Sequence, residues 1–134
     1  EAVRRFAEFG VRFGLAFQII DDCLDLTGDP RRLGKAVCAD VDKGALSLPM
    51  IYLTQRLSAR ERTRLFAPLR ARAADPAFVA RVAREARASG AITQAQARAQ
   101  EVIQEGLASL AHAPMNGLAR AYEQLAEYAI SRRS

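Results

Sequence analysis

The stretch FQIIDDCLDLTGD, residues 17–29, constrains this chain more than any other. Asp21, Asp22 and Asp25 fall inside the apolar end of a helical pattern, where a carboxylate is costly unless something positive meets it. On a helix Asp21 and Asp25 are i and i+4, and Asp22 precedes Asp25 by three, so the spacing predicts one shared acidic face. Like charges so placed repel by on the order of a few tenths of a kcal/mol per pair even in water. Phe17, Ile20 and Leu24 lower the local solvation and raise that cost. The pattern therefore asks for a cation.

The rest of the chain supplies helices to carry this face. Half of its 134 residues are hydrophobic, aromatics are few and Trp is absent, while Ala, Leu, Arg and Glu lose little on entering a helix. An all-α fold is expected, as one helical domain over residues 1–134. Residues 2–27 place Val3, Phe6, Phe9, Phe13, Phe17 and Ile20 on an apolar stripe widened by Leu15, Ile19 and Cys23, and Gly28-Asp29-Pro30 stops it. Arg31 to Lys43 lacks periodicity and reads as a loop. ALSLPMIYLTQRL after Gly44 resumes as a buried helix with Pro49 in its early turns, where a missing N–H is tolerated.

Ser58 followed by Glu61 is a capping box that opens a third helix to about Ala73. Asp75-Pro76 caps a fourth, which Gly90 ends as the residue past the cap. Ala91 to Ala111 is amphipathic, with Ile92, Ala95, Ala99, Val102, Ile103, Leu107 and Leu110 on one side. After Pro114, a last helix from Met115 to about Arg132 should turn Leu118, Tyr122, Leu125 and Ala129 inward. The chain opens at Glu1 directly in helical pattern, with neither a cap nor Met, which reads as a beginning cut from something longer.

Several function classes are set aside. The charge of +5 comes mostly from arginines between Arg56 and Arg87, but these alternate with Ala, Leu and Val at helical spacing without interleaved aromatics, which reads as a solvated face and not as a nucleic-acid surface. Cys23 and Cys38 form no CxxC pair and His112 is alone, which argues against zinc or thiol chemistry. No run of about 18 apolar residues suggests stable membrane insertion, and no signal peptide is seen, so a cytoplasmic protein is expected.

A hard divalent cation suits the three aspartates, because Mg2+ prefers oxygen ligands and typically uses one or two carboxylates while waters and phosphate oxygens complete its octahedron. Gln18 extends the same face one turn earlier and could bond a ligand or orient a carboxylate. Lys35, reached through the turn at Gly34, offers a point charge for phosphate, and Asp40 and Lys43 continue the charged loop. Two rival motifs fail on the same residues. An EF-hand with its glycine at Gly28 needs an oxygen ligand where Cys23 stands and Glu where Gly34 stands. A phosphate loop from Gly28 to Lys35 has one intervening residue too many, then Ala36 in place of Ser or Thr, and follows a helix.

The run GLAFQIIDDCLDLTGDPRRLGKAVCADVDKGALSLP resembles the second aspartate-rich region of the trans-isoprenyl diphosphate synthases, the polyprenyl synthetase family that includes farnesyl and geranylgeranyl diphosphate synthases. Gly14, Phe17-Gln18, Asp21-Asp22, Asp25, Gly28-Asp29, Gly34-Lys35, Asp40, Gly44 and Leu48-Pro49 fall at that family's spacing, and SGAI at 89–92 and LAEYAISRR at 125–133 resemble its closing helices.

The resemblance implies the C-terminal half of the isoprenoid synthase helical fold, in which two aspartate-rich helices face each other across a cavity, and a homodimer. It implies Mg2+ bridging those acids to an allylic diphosphate that condenses with isopentenyl diphosphate. Asp21, Asp22 and Asp25 then match the second metal cluster, with Asp21 foremost. Gln18 matches a residue near the allylic substrate, and Lys35 the lysine on its diphosphate. Lys43 is a candidate substrate contact, although the family commonly carries Lys where Ala45 stands. Phe17 reads as packing, and Arg132 and Arg133 as frayed terminal arginines. The first aspartate-rich motif and the residues that hold isopentenyl diphosphate do not occur in this sequence, so the chain is expected to be inactive alone, with the missing N-terminal half as its partner. The alternative is a non-catalytic helical subunit of a prenyl synthase.

Overall fold

The computed structural model describes residues 1–27, 46–70, 75–111, 113–114 and 117–132. Among them are six α-helices and no strand: α1 (Ala2–Thr27), α2 (Leu48–Arg56), α3 (Ala59–Arg70), α4 (Pro76–Ala88), α5 (Ala91–Ser109) and α6 (Ala119–Ser131). The all-α expectation holds. The chain groups into two compact units, Glu1–Asp21 with Gln96–Arg133, and Asp22–Ala95.

In the first unit, Phe9, Ala16, Ile19 and Ile20 of α1 are buried, as are Ala99, Val102, Ile103 and Leu110 in and just beyond α5 and Ala126 and Ala129 of α6. Fully burying a branched or aromatic side chain contributes about 1.5–3 kcal/mol each, and the alanines let helices approach closely. Gly106 sits at a close approach: a Cβ there would lie 3.1 Å from Cβ of Arg12 and 3.5 Å from the Phe9 ring. An aromatic ladder runs along α1. Phe9 meets Tyr122 edge-on at 5.1 Å, Phe6 lies 5.7 Å from the same ring, and Phe13 follows Phe9 at 6.0 Å and Phe17 at 6.2 Å. Such pairs add about 0.5–1.5 kcal/mol beyond area burial.

In the second unit, Cys23 and Leu26 of α1, Met50 and Leu53 of α2, Leu65 of α3, Phe78, Val82, Ala83 and Ala86 of α4, and Ala91, Ile92 and Ala95 of α5 are buried. Helix α2 packs against α4. Its Pro49 sits in the first turn, and α3 opens on the expected capping box. There the Ser58 backbone N–H and hydroxyl donate to Glu61 Oε2 at 2.8 and 2.5 Å, and the Glu61 N–H donates to Ser58 Oγ at 3.3 Å. The Ser58 hydroxyl, and then its backbone N–H, hold the Glu61 carboxyl below its ordinary value. At the start of α4 the Phe78 N–H donates to Asp75 Oδ1 at 2.6 Å. Gly90, at φ 75°, closes α4 in the left-handed region that an L side chain rarely adopts.

Three readings are corrected. The last helix begins at Ala119 rather than Met115, because Gly117 takes φ 81° and no right-handed helix passes through that conformation. Leu118 and Leu125 are exposed rather than inward, and Ala126 and Ala129 form the buried line of α6. On α1, Val3 and Leu15 are exposed because the buried line follows Phe9, Ala16, Ile20 and Cys23 at heptad-like intervals, and both valine and leucine stand off it. The expected loop from Arg31 to Lys43, and His112, lie outside the described residues.

Candidate functional site

The acidic ridge occupies the last two turns of α1, which ends at Thr27. That end carries the negative pole of the peptide dipole, so three aspartates there meet an adverse field as well as one another. No basic residue lies in the last turn of α1 itself; compensation arrives from other helices.

In the first unit, Asp21 Oδ1 lies 3.4 Å from Nη2 of Arg132, the residue that follows α6. The Arg132 guanidinium also lies 4.2 Å from the centroid of the Phe17 ring, one turn before Asp21. Its side chain is 25 % exposed against 37 % for Asp21, so Arg132 is a partly buried cation with two partners and not the solvated, frayed end that terminal position suggested. Gln18 is exposed on α1.

In the second unit, Asp25 is 2 % exposed, a burial unusual for a carboxylate, and Asp22 is half-buried. Arg87 Nη2 donates to the Leu26 carbonyl at 2.6 Å, a charge-assisted bond that places a cation at the negative end of α1. The Cys23 thiol is fully buried 4.0 Å from the Ile92 carbonyl. Burial, and secondarily the nearby Asp22 charge, push it up to about 12, so Cys23 stays a neutral core thiol at neutral pH.

Among the described residues no group of three or more His, Cys, Asp or Glu is gathered closely enough to hold a metal ion. Asp21 is engaged with Arg132 and Asp25 is buried, so the face predicted by spacing is not by itself a three-carboxylate cage. The donor chemistry still fits Mg2+, which needs only one or two protein carboxylates when phosphate oxygens supply the rest. Lys35, Lys43 and Asp40 lie outside the described residues.

Sequence reasoning missed Arg87 and misjudged Arg132. The signal available for Arg87 was the charge imbalance at the end of α1, which demanded a base without saying which of the many arginines supplies it.

An all-helical chain whose principal helix ends in an aspartate ridge defines a narrow class, and comparison with known proteins agrees. The sequence profile of the family described as Polyprenyl synthetase matches residues 1–86, and the chain belongs to that family. It is similar to the chloroplastic solanesyl diphosphate synthase 1 of Arabidopsis thaliana, 29% identical over 98% of this chain and 31% of that protein. It is also similar to the geranylfarnesyl diphosphate synthase of Aeropyrum pernix, 33% identical over 85% of this chain and 35% of that protein. Among solved structures, a polyprenyl synthase from Caulobacter crescentus CB15, complexed with calcium and isoprenyl diphosphate, superposes with a TM-score of 0.86 at 32% identity, over 95% of this chain and 39% of that one. The fold is thus that of the polyprenyl synthases. The chain spans 31% to 35% of the length of these two relatives.

Proposed function

We propose that this chain is the C-terminal part of a Mg2+-dependent trans-prenyltransferase that condenses an allylic diphosphate with isopentenyl diphosphate into a longer polyprenyl diphosphate. The observation that carries this reading is the ridge at Asp21, Asp22 and Asp25, kept on a helix end that disfavours acids, in a chain of the polyprenyl synthetase family. A stability-driven sequence would not place three carboxylates there.

Asp21 and Asp22 are the carboxylates that would hold Mg2+, with Asp25 behind them. Held by these carboxylates, Mg2+ would supply charge neutralisation for a departing diphosphate. Gln18 lies one turn earlier on the same helix, on the side of the allylic substrate, and Lys35 and Lys43 contribute point charges for diphosphate oxygens. The buried apolar line of α1 fixes where the acids stand, and a rigid helix lowers the reorganisation needed when charge develops. The first aspartate-rich motif comes from the rest of the protein, so these residues alone are inactive. Residues 1–134 form one part of its helical domain, in a cytoplasmic homodimer. No helix among the described residues is long and apolar enough to cross a membrane.

The test is diphosphate release by the full-length protein from an allylic diphosphate plus isopentenyl diphosphate, with and without Mg2+. Metal-dependent release that Asp21→Ala abolishes is expected. Absence of release, or release undiminished in Asp21→Ala, would overturn the enzymatic reading in favour of a non-catalytic helical subunit.

A further inference from the structure

We infer that Arg132 is a built-in counter-cation for Asp21, occupying that carboxylate until a divalent metal ion displaces it, so that the end of α6 sets how tightly metal binds before any diphosphate arrives. The inference rests on the assignment of Asp21 as a metal ligand in the proposed function.

Arg132 Nη2 and Asp21 Oδ1 are 3.4 Å apart. The guanidinium has a prepared seat: it lies over Phe17 at 4.2 Å, and Phe17 is stacked on Phe13. Arg132 also directly follows α6, whose negative dipole end favours a cation. These contacts hold positive charge at Asp21 when no metal does the same. They do not satisfy the guanidinium fully, because Nη1 is buried and has no hydrogen-bond acceptor among the described residues. A buried donor without an acceptor is destabilising. The seat is therefore good enough to be occupied and poor enough to be vacated.

A divalent ion bound at Asp21 would stand within a few ångströms of Nη2. Two positive charges at that separation repel each other in a partly desolvated site. Metal binding and the resting position of Arg132 are then in competition for one carboxylate. By linkage, anything that loosens Arg132 tightens metal binding by the same factor. A purely structural clasp, holding the end of α6 to α1, would have no such reciprocal effect.

The test measures Mn2+ affinity of the full-length protein in the absence of any diphosphate, by electron paramagnetic resonance of the free ion. Arg132→Gln is expected to tighten binding by about 3- to 10-fold, the scale of a partly exposed ion pair assisted by a ring contact. Phe17→Leu should move it in the same direction by less, and Arg132→Lys should return it toward the parent value. In an Asp21→Asn background, Arg132→Gln should change nothing. Unchanged or weaker Mn2+ binding in Arg132→Gln, with Asp21→Asn still weakening it, would overturn this inference and leave the metal assignment standing. Mn2+ binding indifferent to Asp21→Asn would overturn both.

Discussion

Asp75 and Asp21 are the same residue type at opposite kinds of helix end, one at the start of α4 and the other near the end of α1, and their surroundings differ in kind. Asp75 stands at the start of α4, where the dipole welcomes a negative charge, and accepts the Phe78 N–H three residues on. Everything it does is local. Asp21 stands near the end of α1, against the dipole, and meets Arg132 from the far end of the chain. The first aspartate makes its helix; the second is tolerated by its helix. Acids of the second kind are where a function is to be sought, because folding alone does not explain them.

The largest expected effect separates these two most sharply. In the full-length protein, Asp21→Ala should lower metal-dependent diphosphate release by roughly 100-fold or more, as loss of an electrostatic stabiliser does. Its melting temperature should hardly move, since a partly exposed ion pair contributes less than about 1 kcal/mol. Asp75→Ala should do the reverse, costing about 1 kcal/mol in denaturant titrations while release is unaffected. A stability loss for Asp21→Ala equal to that of Asp75→Ala, with activity retained, would erase the distinction.

Next in size is Arg87→Met, which keeps the stem and removes the donor to the Leu26 carbonyl. It should cost about 1.5–3 kcal/mol as a lost charged hydrogen bond, measurable by urea unfolding. A neutral result would mean that Arg87 does little to offset the acids of α1.

The smallest effects near neutral pH are titrations. Cys23 rises from 9.0 to about 12 on folding, so its contribution to stability is complete below pH 9 and is lost as pH climbs from 9 towards 12. In a Cys38→Ser background, Cys23 should resist alkylation at pH 8 unless denaturant is present, as read by intact mass. Glu61 shifts the other way. Its contribution is present above the unfolded value of 4.5 and fades as pH falls through the lowered folded value, an acid-limb loss that Ser58→Ala should shrink but not abolish, because the backbone N–H of residue 58 still donates.

What was legible in the sequence divides along the same line. The starts of α3 and α4 were readable because Ser58 with Glu61, and Asp75 with Pro76, carry both partners of each cap within a few residues. The end of α4 was readable at Gly90 for the same reason. The start of α6 was not, because Gly117 breaks an otherwise unremarkable helical pattern through its backbone conformation. Exposure of Leu118 and Leu125 was also hidden: periodicity names an apolar stripe but not which neighbour covers it. The ridge at Asp21, Asp22 and Asp25 was legible only as three acids in the last two turns of one helix, without the burial of Asp25. Its protein partners were not plain, since the pairs to Arg132 and the bond from Arg87 join segments whose proximity exists only after folding.

The close approach at Gly106 has an evolutionary consequence. With only a hydrogen atom there, the β-carbon of Arg12 can come within the 3.1 Å that a methyl group at 106 would claim. Every residue but glycine carries that β-carbon, so sequences with a larger residue at this site should carry glycine at position 12 or hold the two helices slightly farther apart there. The two positions are expected to drift as a couple, each change licensing the other, although 93 residues lie between them in the sequence.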